Sequence, residues 1–319
     1  MLSELGKKLA ERWATLLVLP GLLYLGTAAG AQALGYRRAL DVEWLVEQIN
    51  SWAGTPVATQ AGGQIVLVAA VLVGSAAAGL AAQALGSVVE RITLAAAWRS
   101  WPAPFRQLAE WRIRVRRRRW EDAHDTYHRL RDQAESDGGA SAEATRQRLA
   151  AYRARDRIAP EAPTRPTWSG DRAHAATIRL SRDRRLHLPT VWPHLWLFMP
   201  ETARVEIMEA RQALSRACAL GGWAVLYTLL AFWWWPAALL GAGIAVTAWR
   251  RVRSCVDADF LLRESAACLY GADLARHLGI DFTGPLSPEI GDELTQHLHT
   301  EPEPPRSCPA DHRVRTLGS

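Results

Sequence analysis

Charge is missing from three long stretches of this chain. No Asp, Glu, Lys, Arg or His falls within Trp13–Tyr36, Gln48–Val89 or Ala217–Trp249. The last of these runs for 33 residues, and a bilayer span needs about 20 apolar residues. The absence therefore reads as membrane-embedded chain. Ionisable groups inside spans usually mark ion or proton paths, so their lack argues against a proton-coupled transporter or pump. It leaves a passive pore formed by an oligomer open.

Other absences narrow the chemistry. The four cysteines, Cys218, Cys255, Cys268 and Cys308, form no CxxC pair, which removes a zinc knuckle or a disulfide scaffold. There is no Walker loop, no GxGxxG, no HExxH and no GxSxG. No residue is singled out as catalytic, cofactor-binding or metal-ligating, and no cofactor is implied. Lysine occurs only as Lys7 and Lys8 against 36 arginines, which points to coding composition rather than to chemistry.

What is present is strongly partitioned. Mean hydropathy is slightly negative, yet that average mixes apolar runs with Glu90–Arg216, which holds 25 Arg against 16 acids. Basic residues elsewhere number 3 before the first apolar run, 2 in Tyr36–Gly63 and 8 after Trp249. By the positive-inside rule, the N-terminus, the Arg-rich centre and the C-terminus all lie in the cytoplasm. An even number of crossings agrees with that.

The first run follows Lys7, Lys8 and Arg12 and ends Ala31-Gln32-Ala33, which imitates a signal-peptide cleavage site. A signal h-region has about 7–15 residues, whereas this run is longer, so an uncleaved signal-anchor is the expectation. Val42, Leu45, Ile49 and Trp52 then recur at helical spacing and predict a short amphipathic helix on the outer surface. A second span follows at about Gln64–Gly86. Ala217–Trp249 must go out and return about Trp233-Trp234-Trp235-Pro236. Its arms of roughly 13–18 residues span about 20–27 Å, short of the roughly 30 Å core. Either the hairpin is re-entrant or flanking Arg216 and Arg250 snorkel. The Trp cluster favours full crossing, because indole rings prefer the interface. Gly26/Gly30, Gly74/Ala78, Ser75/Gly79 and Gly241/Ala245 have the spacing of close helix contacts.

In the Arg-rich region, Pro102 and Pro104 break the helix leaving the second span. Trp98, Trp101, Phe105, Trp111 and Trp120 alternate with Arg99, Arg106 and the run Arg112, Arg114 and Arg116–Arg119, a pattern that fits an anionic lipid surface, a solvated helix face or, least well, nucleic acid. Trp120, Ala123, Tyr127, Leu130 and Ala134 make a short a/d stripe of coiled-coil type. Ser136-Asp137-Gly138-Gly139 stops that helix, and Ser141 caps a returning one over Glu143–Arg157. His124 and His128 sit at i and i+4, a metal-ligand spacing with no third ligand in view. Ala159–Gly170 reads as a Pro-rich linker, with Ser169-Gly170-Asp171-Arg172 capping a helix through about Leu186. Asp171, His174 and Ser169 lack the strand–turn–helix context of a nucleophile elbow. Leu188–Met199 is too short to span and reads as an interfacial foot or a buried strap. A helix then starts at Pro200 and continues into the third span. Val256, Phe260, Ala267, Leu274 and Leu278 line one face of a helix ending near Gly279, and Pro and acidic residues from Asp281 imply a mostly disordered tail.

TRPTWSGDR (164–172) and LPTVWPHLW (188–196), with the Trp-Pro hairpin behind them, resemble uncharacterised actinobacterial multi-pass membrane proteins. The resemblance covers the last half of the chain and implies a shared architecture, with no activity to carry over.

The expected fold is all-α, with about four transmembrane helices in two hairpins and a helical cytoplasmic insert. The expected parts are an N-terminal transmembrane hairpin (1–89), an Arg-rich helical region (90–216), a short transmembrane hairpin (217–249), a cytoplasmic helix (250–280) and a disordered tail (281–319). The leading functional expectation is a non-enzymatic scaffold or adaptor in the cell membrane. Its basic helical module would bind anionic lipid headgroups or an unidentified cytoplasmic protein. Homo-oligomers are allowed and nucleic acid ranks last. The alternatives are an oligomeric pore or effector, and an interfacial lipid-acting enzyme using Asp171, His174, His187 and His194.

Overall fold

A computed structural model describes residues 18–55, 60–136 and 141–299. Among them are ten α-helices, one 3-10 turn and no strand. In chain order the helices are α1 (Leu19–Leu34), α2 (Val42–Ala53), α3 (Ala61–Leu94), α4 (Ala103–Ser136), α5 (Ala142–Ile158), α6 (Trp168–Arg184), α7 (Leu188–Phe198), α8 (Glu201–Leu230), α9 (Pro236–His277) and α10 (Pro288–Leu298). The chain divides into two compact units, Met1–Ala176 with Pro200–Ser265 and Thr177–Met199 with Ala266–Ser319.

Among the described residues two helices are long and apolar enough to cross a membrane, α3 and α8. α3 is the more informative. Its large aliphatic side chains point outward, Ile65 at 71% and Val73 at 70% exposure, while its buried positions are Ser75, Gly79, Ala82 and Gly86. A helix in the core of a water-soluble domain buries its large apolar residues. Along α3 the pattern is the reverse, with small residues inward and large ones outward.

The same logic sets how close α3 and α8 come. A Cβ on Gly222 would collide with the Ala82 carbonyl, and one on Gly86 would lie 2.7 Å from the Ala219 Cα. Residue order reverses along this contact, 82 against 222 and 86 against 219, and Glu90 pairs with Arg211 at one end; the two helices are antiparallel. α1 runs alongside α8: Tyr24 meets Trp223 and Tyr227 at ring-centroid distances of 6.0 and 5.4 Å, and Ala31 clusters with Leu230 and Ala237. α9 returns antiparallel, with Gly241 on Thr228 and Val252 beside Leu214 and Cys218. At one end the Trp234 indole donates to the Ala39 carbonyl at 2.8 Å, which ties the α8–α9 turn to the α1–α2 connection. α2 itself is N-capped by Asp41 and leaves Val42, Val46 and Ile49 exposed along one side.

The expected helical hairpin is present. α5 opens on Ser141, whose side chain accepts from the Ala144 N–H. It returns along α4, with Tyr152 on Tyr127 and the Arg155 guanidinium 4.9 Å over the Tyr152 ring. The Gly138-Gly139 stop lies outside the described residues, as does the basic flank Lys7, Lys8 and Arg12 of the first run. His124 stacks on Trp120 at 4.5 Å and meets His128 edge-on at 4.3 Å. Burial, then the neighbouring His128 and Arg155, lower the His124 pKa below its ordinary 6.5, with Asp125 and Glu161 pulling the other way. The unfolded chain then takes up the proton first, so the stability from neutral His124 is full above pH 6.5 and is lost as pH falls below it. Thermal unfolding of the purified protein is expected to shift downward between about pH 7.5 and about pH 5. His124→Gln is expected to flatten that slope; an unchanged slope in the variant would assign it elsewhere.

Five expectations are corrected. Gly26 and Gly30 make no helix contact, since a Cβ on either meets nothing within 4 Å among the described residues; α1 instead touches α3 at Gly21, against the Ser75 carbonyl. Ala/Gly-rich spans carry such pairs on faces that never pack. α8 runs unbroken into its apolar arm, as expected from Pro200; the other arm is corrected, since no separate helix begins at 250 and α9 continues through 249/250 for 42 residues, because a helix does not stop where its surroundings change polarity. Ala159–Gly170 is no solvent linker, as Ala159, Pro163, Pro166, Ser169 and Gly170 are buried. α6 starts at Trp168, with Thr167 rather than Ser169 or Asp171 in the capping role.

The fifth correction concerns the second unit. Leu188–Phe198 is a helix containing Pro193, burying Leu188, Val191 and Leu195, so one face of the expected strap is packed. The chain after Asp281 is ordered into α10, which Ser287 caps and which buries Gly291 and Leu294. A Cβ at Gly291 would strike the Arg184 carbonyl, and the His187 N–H donates to Thr295 Oγ1 at 3.1 Å. Close backbone docking, invisible to composition, gives this polar segment its structure. Residues 300–319 lie outside the described chain.

Candidate functional site

The described geometry concentrates around the segment 158–172 and the last turn of α3. α3 ends at Ala95, whose backbone is left-handed at φ 44°, and its terminal carbonyls need partners. Thr167 Oγ1 donates to the Thr93 carbonyl at 2.6 Å and accepts from the Gly170 N–H at 3.1 Å. One hydroxyl thus joins the end of α3 to the start of α6. Arg165 donates to the Ala95 carbonyl at 3.0 Å, and Gly170 lies so close to the Leu94 carbonyl that a Cβ would come within 2.7 Å.

Asp171 is the keystone of this latch. It is 4% exposed. One carboxylate oxygen accepts from the Thr164 and Arg165 N–H groups at 2.9 and 2.8 Å. The other accepts from Arg116 Nη1 at 2.6 Å. The Arg116 guanidinium also donates to the Arg165 and Ile158 carbonyls, at 2.8 and 2.6 Å. Burial raises the Asp171 carboxyl above its ordinary value and lowers the Arg116 guanidinium; their mutual attraction opposes both shifts. Next to them Arg172 pairs with Asp257 at 2.5 Å, and Trp168 donates to the Asp156 carbonyl at 3.3 Å.

Beside the latch is a cavity of about 900 Å³. Its walls divide by chemistry. One part is apolar and built from α3, α8 and α9, including Val89, Ile92, Ala224, Val225, Ala248 and Val252. The other carries five arginines, Arg112, Arg116 and Arg119 of α4, Arg157 of α5 and Arg253 of α9, and no acidic residue lines it. The spacing 112, 116, 119 keeps three of the arginines on one helix face. Arg253 is held by stacking over Trp168 at 4.1 Å, a cation–π contact. Arg112, Arg119 and Arg157 have no carboxylate partner among the described residues.

The residues weighed for chemistry are dispersed by these arrangements. Asp171 gives its oxygens to Arg116 and two backbone N–H groups, and Ser169 is buried in the cavity wall. Burial, then Arg165, lowers the His174 pKa. In the second unit, His187 Nδ1 lies 2.7 Å from Thr190 Oγ1 and His194 Nδ1 lies 3.4 Å from the Thr190 carbonyl. No group of three or more His, Cys, Asp or Glu that could hold a metal occurs among the described residues. Arg157 and Arg253 were missed as site residues, since only the return of α5 and α9 brings them to the α4 face. The signal on α4 itself was legible as the i, i+4, i+7 spacing.

Comparison of the chain with protein-family models, curated proteins and solved structures returns no match. Fold and site define a class: among the described residues, an all-helical arrangement with two helices long and apolar enough to cross a membrane, packed through small residues, and an arginine-lined cavity beside them.

Proposed function

We propose that this chain is a multi-pass membrane protein that anchors a basic helical module at the cytoplasmic face of the cell membrane. In this reading α1, α3, α8 and the apolar first part of α9 are four spans, up, down, up and down. The observation that carries it is the inverted surface of α3, with Ile65, Val66 and Val73 outward and Ser75, Gly79, Ala82 and Gly86 inward. The other helices repeat it: Leu19 and Leu23 on α1 and Leu239 and Val246 on α9 are exposed. Packed together in water, these faces would form an apolar patch far beyond what a soluble monomer carries.

The alternating directions of the four helices put Ala39 and Trp234 at one end. The end of α3, the segment 158–172 and the arginine face of α4 fall at the other. Only Arg37 and Arg38 accompany Ala39, whereas Glu90–Arg216 holds 25 arginines, and the positive-inside rule, applied to that excess, assigns the latch end to the cytoplasm. The module is read as a docking surface rather than a catalytic one, because Asp171, the one buried carboxylate among the residues weighed for chemistry, is engaged in holding the latch.

The test is cysteine accessibility in intact cells on a background lacking the four native cysteines. Single cysteines at Gln48 and Phe232 are expected to react with an impermeant maleimide from outside, and one at Gln133 only after the membrane is opened. Reaction of Gln133→Cys in sealed cells would reverse the orientation, and protection of Phe232→Cys, 78% exposed in the structure, would remove the second hairpin as a pair of spans.

A further inference from the structure

We infer that the arginine-lined cavity is a binding site for one anionic phospholipid, with its phosphate held by Arg112, Arg119, Arg157 and Arg253 and an acyl chain lying along α8 and α9. The inference rests on the four-span reading and adds a specific ligand site to it.

The cavity has the chemical profile of an amphiphile. Along α8 its wall runs from Gly221 to Leu229 and along α9 from Ala245 to Arg253, about 12 Å of each helix at the α-helical rise. Of the residues in these stretches that line the cavity, Arg253 alone is charged, so the lining there accepts hydrocarbon. Arg253 closes the α9 stretch, and Arg112, Arg119 and Arg157 meet it from the other helices. No Asp or Glu lies in the wall itself; Asp171 answers Arg116 from behind it. Asp156, which attracts Arg253, lies outside the lining. Arg116 takes no part in the headgroup site, because Asp171 and two backbone carbonyls already occupy its guanidinium.

The charge pattern selects the ligand. A neutral lipid would fill the apolar groove and leave the arginines without an anion to bind. A free phosphate would satisfy the arginines and leave the groove empty. A phosphodiester that carries an acyl chain offers an anion to the arginines and hydrocarbon to the groove, and guanidinium–phosphate pairing is bidentate and directional. The indoles of Trp111, Trp168 and Trp249, also in the wall, are the side chains that favour the level of lipid headgroups.

The test titrates the full-length protein, purified in a mild detergent, with dioleoyl phosphatidylglycerol, dioleoyl phosphatidylcholine and glycerol phosphate, and counts bound lipid by native mass spectrometry. One phosphatidylglycerol is expected to be retained well above the phosphatidylcholine level. At roughly fivefold per basic group near an anionic lipid, the triple change Arg112→Gln, Arg119→Gln, Arg157→Gln is expected to weaken it on the order of 100-fold. The triple change Arg114→Gln, Arg117→Gln, Arg118→Gln removes the same charge from residues outside the cavity and is expected to leave binding intact. Equal retention of both lipids by the unaltered protein, an equal loss in the two triple variants, or displacement by glycerol phosphate alone would each overturn the inference. Alkaline carbonate extraction separates the two levels. Release of the chain from the membrane fraction overturns the four-span reading together with the site, whereas a retained chain that binds both lipids alike overturns the site only.

Discussion

Asp171→Ala is expected to lower the unfolding free energy by about 3–5 kcal/mol, the cost of removing one partner from a buried ion pair. Three losses combine. The Arg116 guanidinium, 13% exposed at its side chain, is left as a charge without a counter-charge. The Thr164 and Arg165 N–H groups lose the carboxylate oxygen that accepts from both, and a buried donor without a partner is penalised in its own right. The segment 158–172 then no longer presents Thr167 and Arg165 to the end of α3. A typical domain is stable by only about 5–15 kcal/mol, so the variant is expected to accumulate poorly or to melt far below the parent. Thermal unfolding in detergent, followed by tryptophan fluorescence, reads the change. Changing both partners, Arg116→Gln with Asp171→Asn, is expected to cost less than the sum of the single changes, since no isolated charge remains. A midpoint for Asp171→Ala within a degree of the parent would remove Asp171 from its central place in the latch.

The second large effect is expected at Gly222. A single methyl there would run into the Ala82 carbonyl and lie 2.8 Å from the Gly86 nitrogen. Both neighbours are backbone, so neither steps aside as a side-chain tip does. α3 and α8 must separate, and the packing that holds small-residue helices together weakens along its length. Overpacking typically costs about 1–3 kcal/mol for modest insertions, and Gly222→Leu is expected to exceed Gly222→Ala. Gly243→Ala, where a Cβ meets open space, provides the comparison. There the better helix propensity of alanine, about 1 kcal/mol, is expected to leave stability unchanged or raised. Melting of Gly222→Ala at or above the parent would refute the contact.

Both predictions involve residues whose types were plain in the sequence and whose partners were not. Asp171 was legible as a polar residue near a helix start, but its partner Arg116 is 55 positions away. Gly222 had no spaced small partner in the motif reading, while Gly26 and Gly30 had the motif and a Cβ on either meets nothing within 4 Å among the described residues. The chain from 281 onward looked unstructured because its composition is polar. α10 forms nonetheless, because Gly291 allows its backbone to dock against Arg184 and Thr295 bonds to the His187 N–H.

The sequence by itself determined the all-helical class, the apolar runs, the α4–α5 hairpin with its Ser141 cap, the continuity of the chain from Pro200 into α8, and the asymmetry of positive charge. These are one-dimensional properties, set by periodicity, capping and charge counted along the chain. Tertiary structure alone decided which small residues touch, which arginines are spent on internal pairing and which face the cavity, and that a proline-rich segment closes the end of a long helix. Those outcomes depend on backbone approaches of a few ångströms between residues tens of positions apart, and local pattern carries no record of such distances.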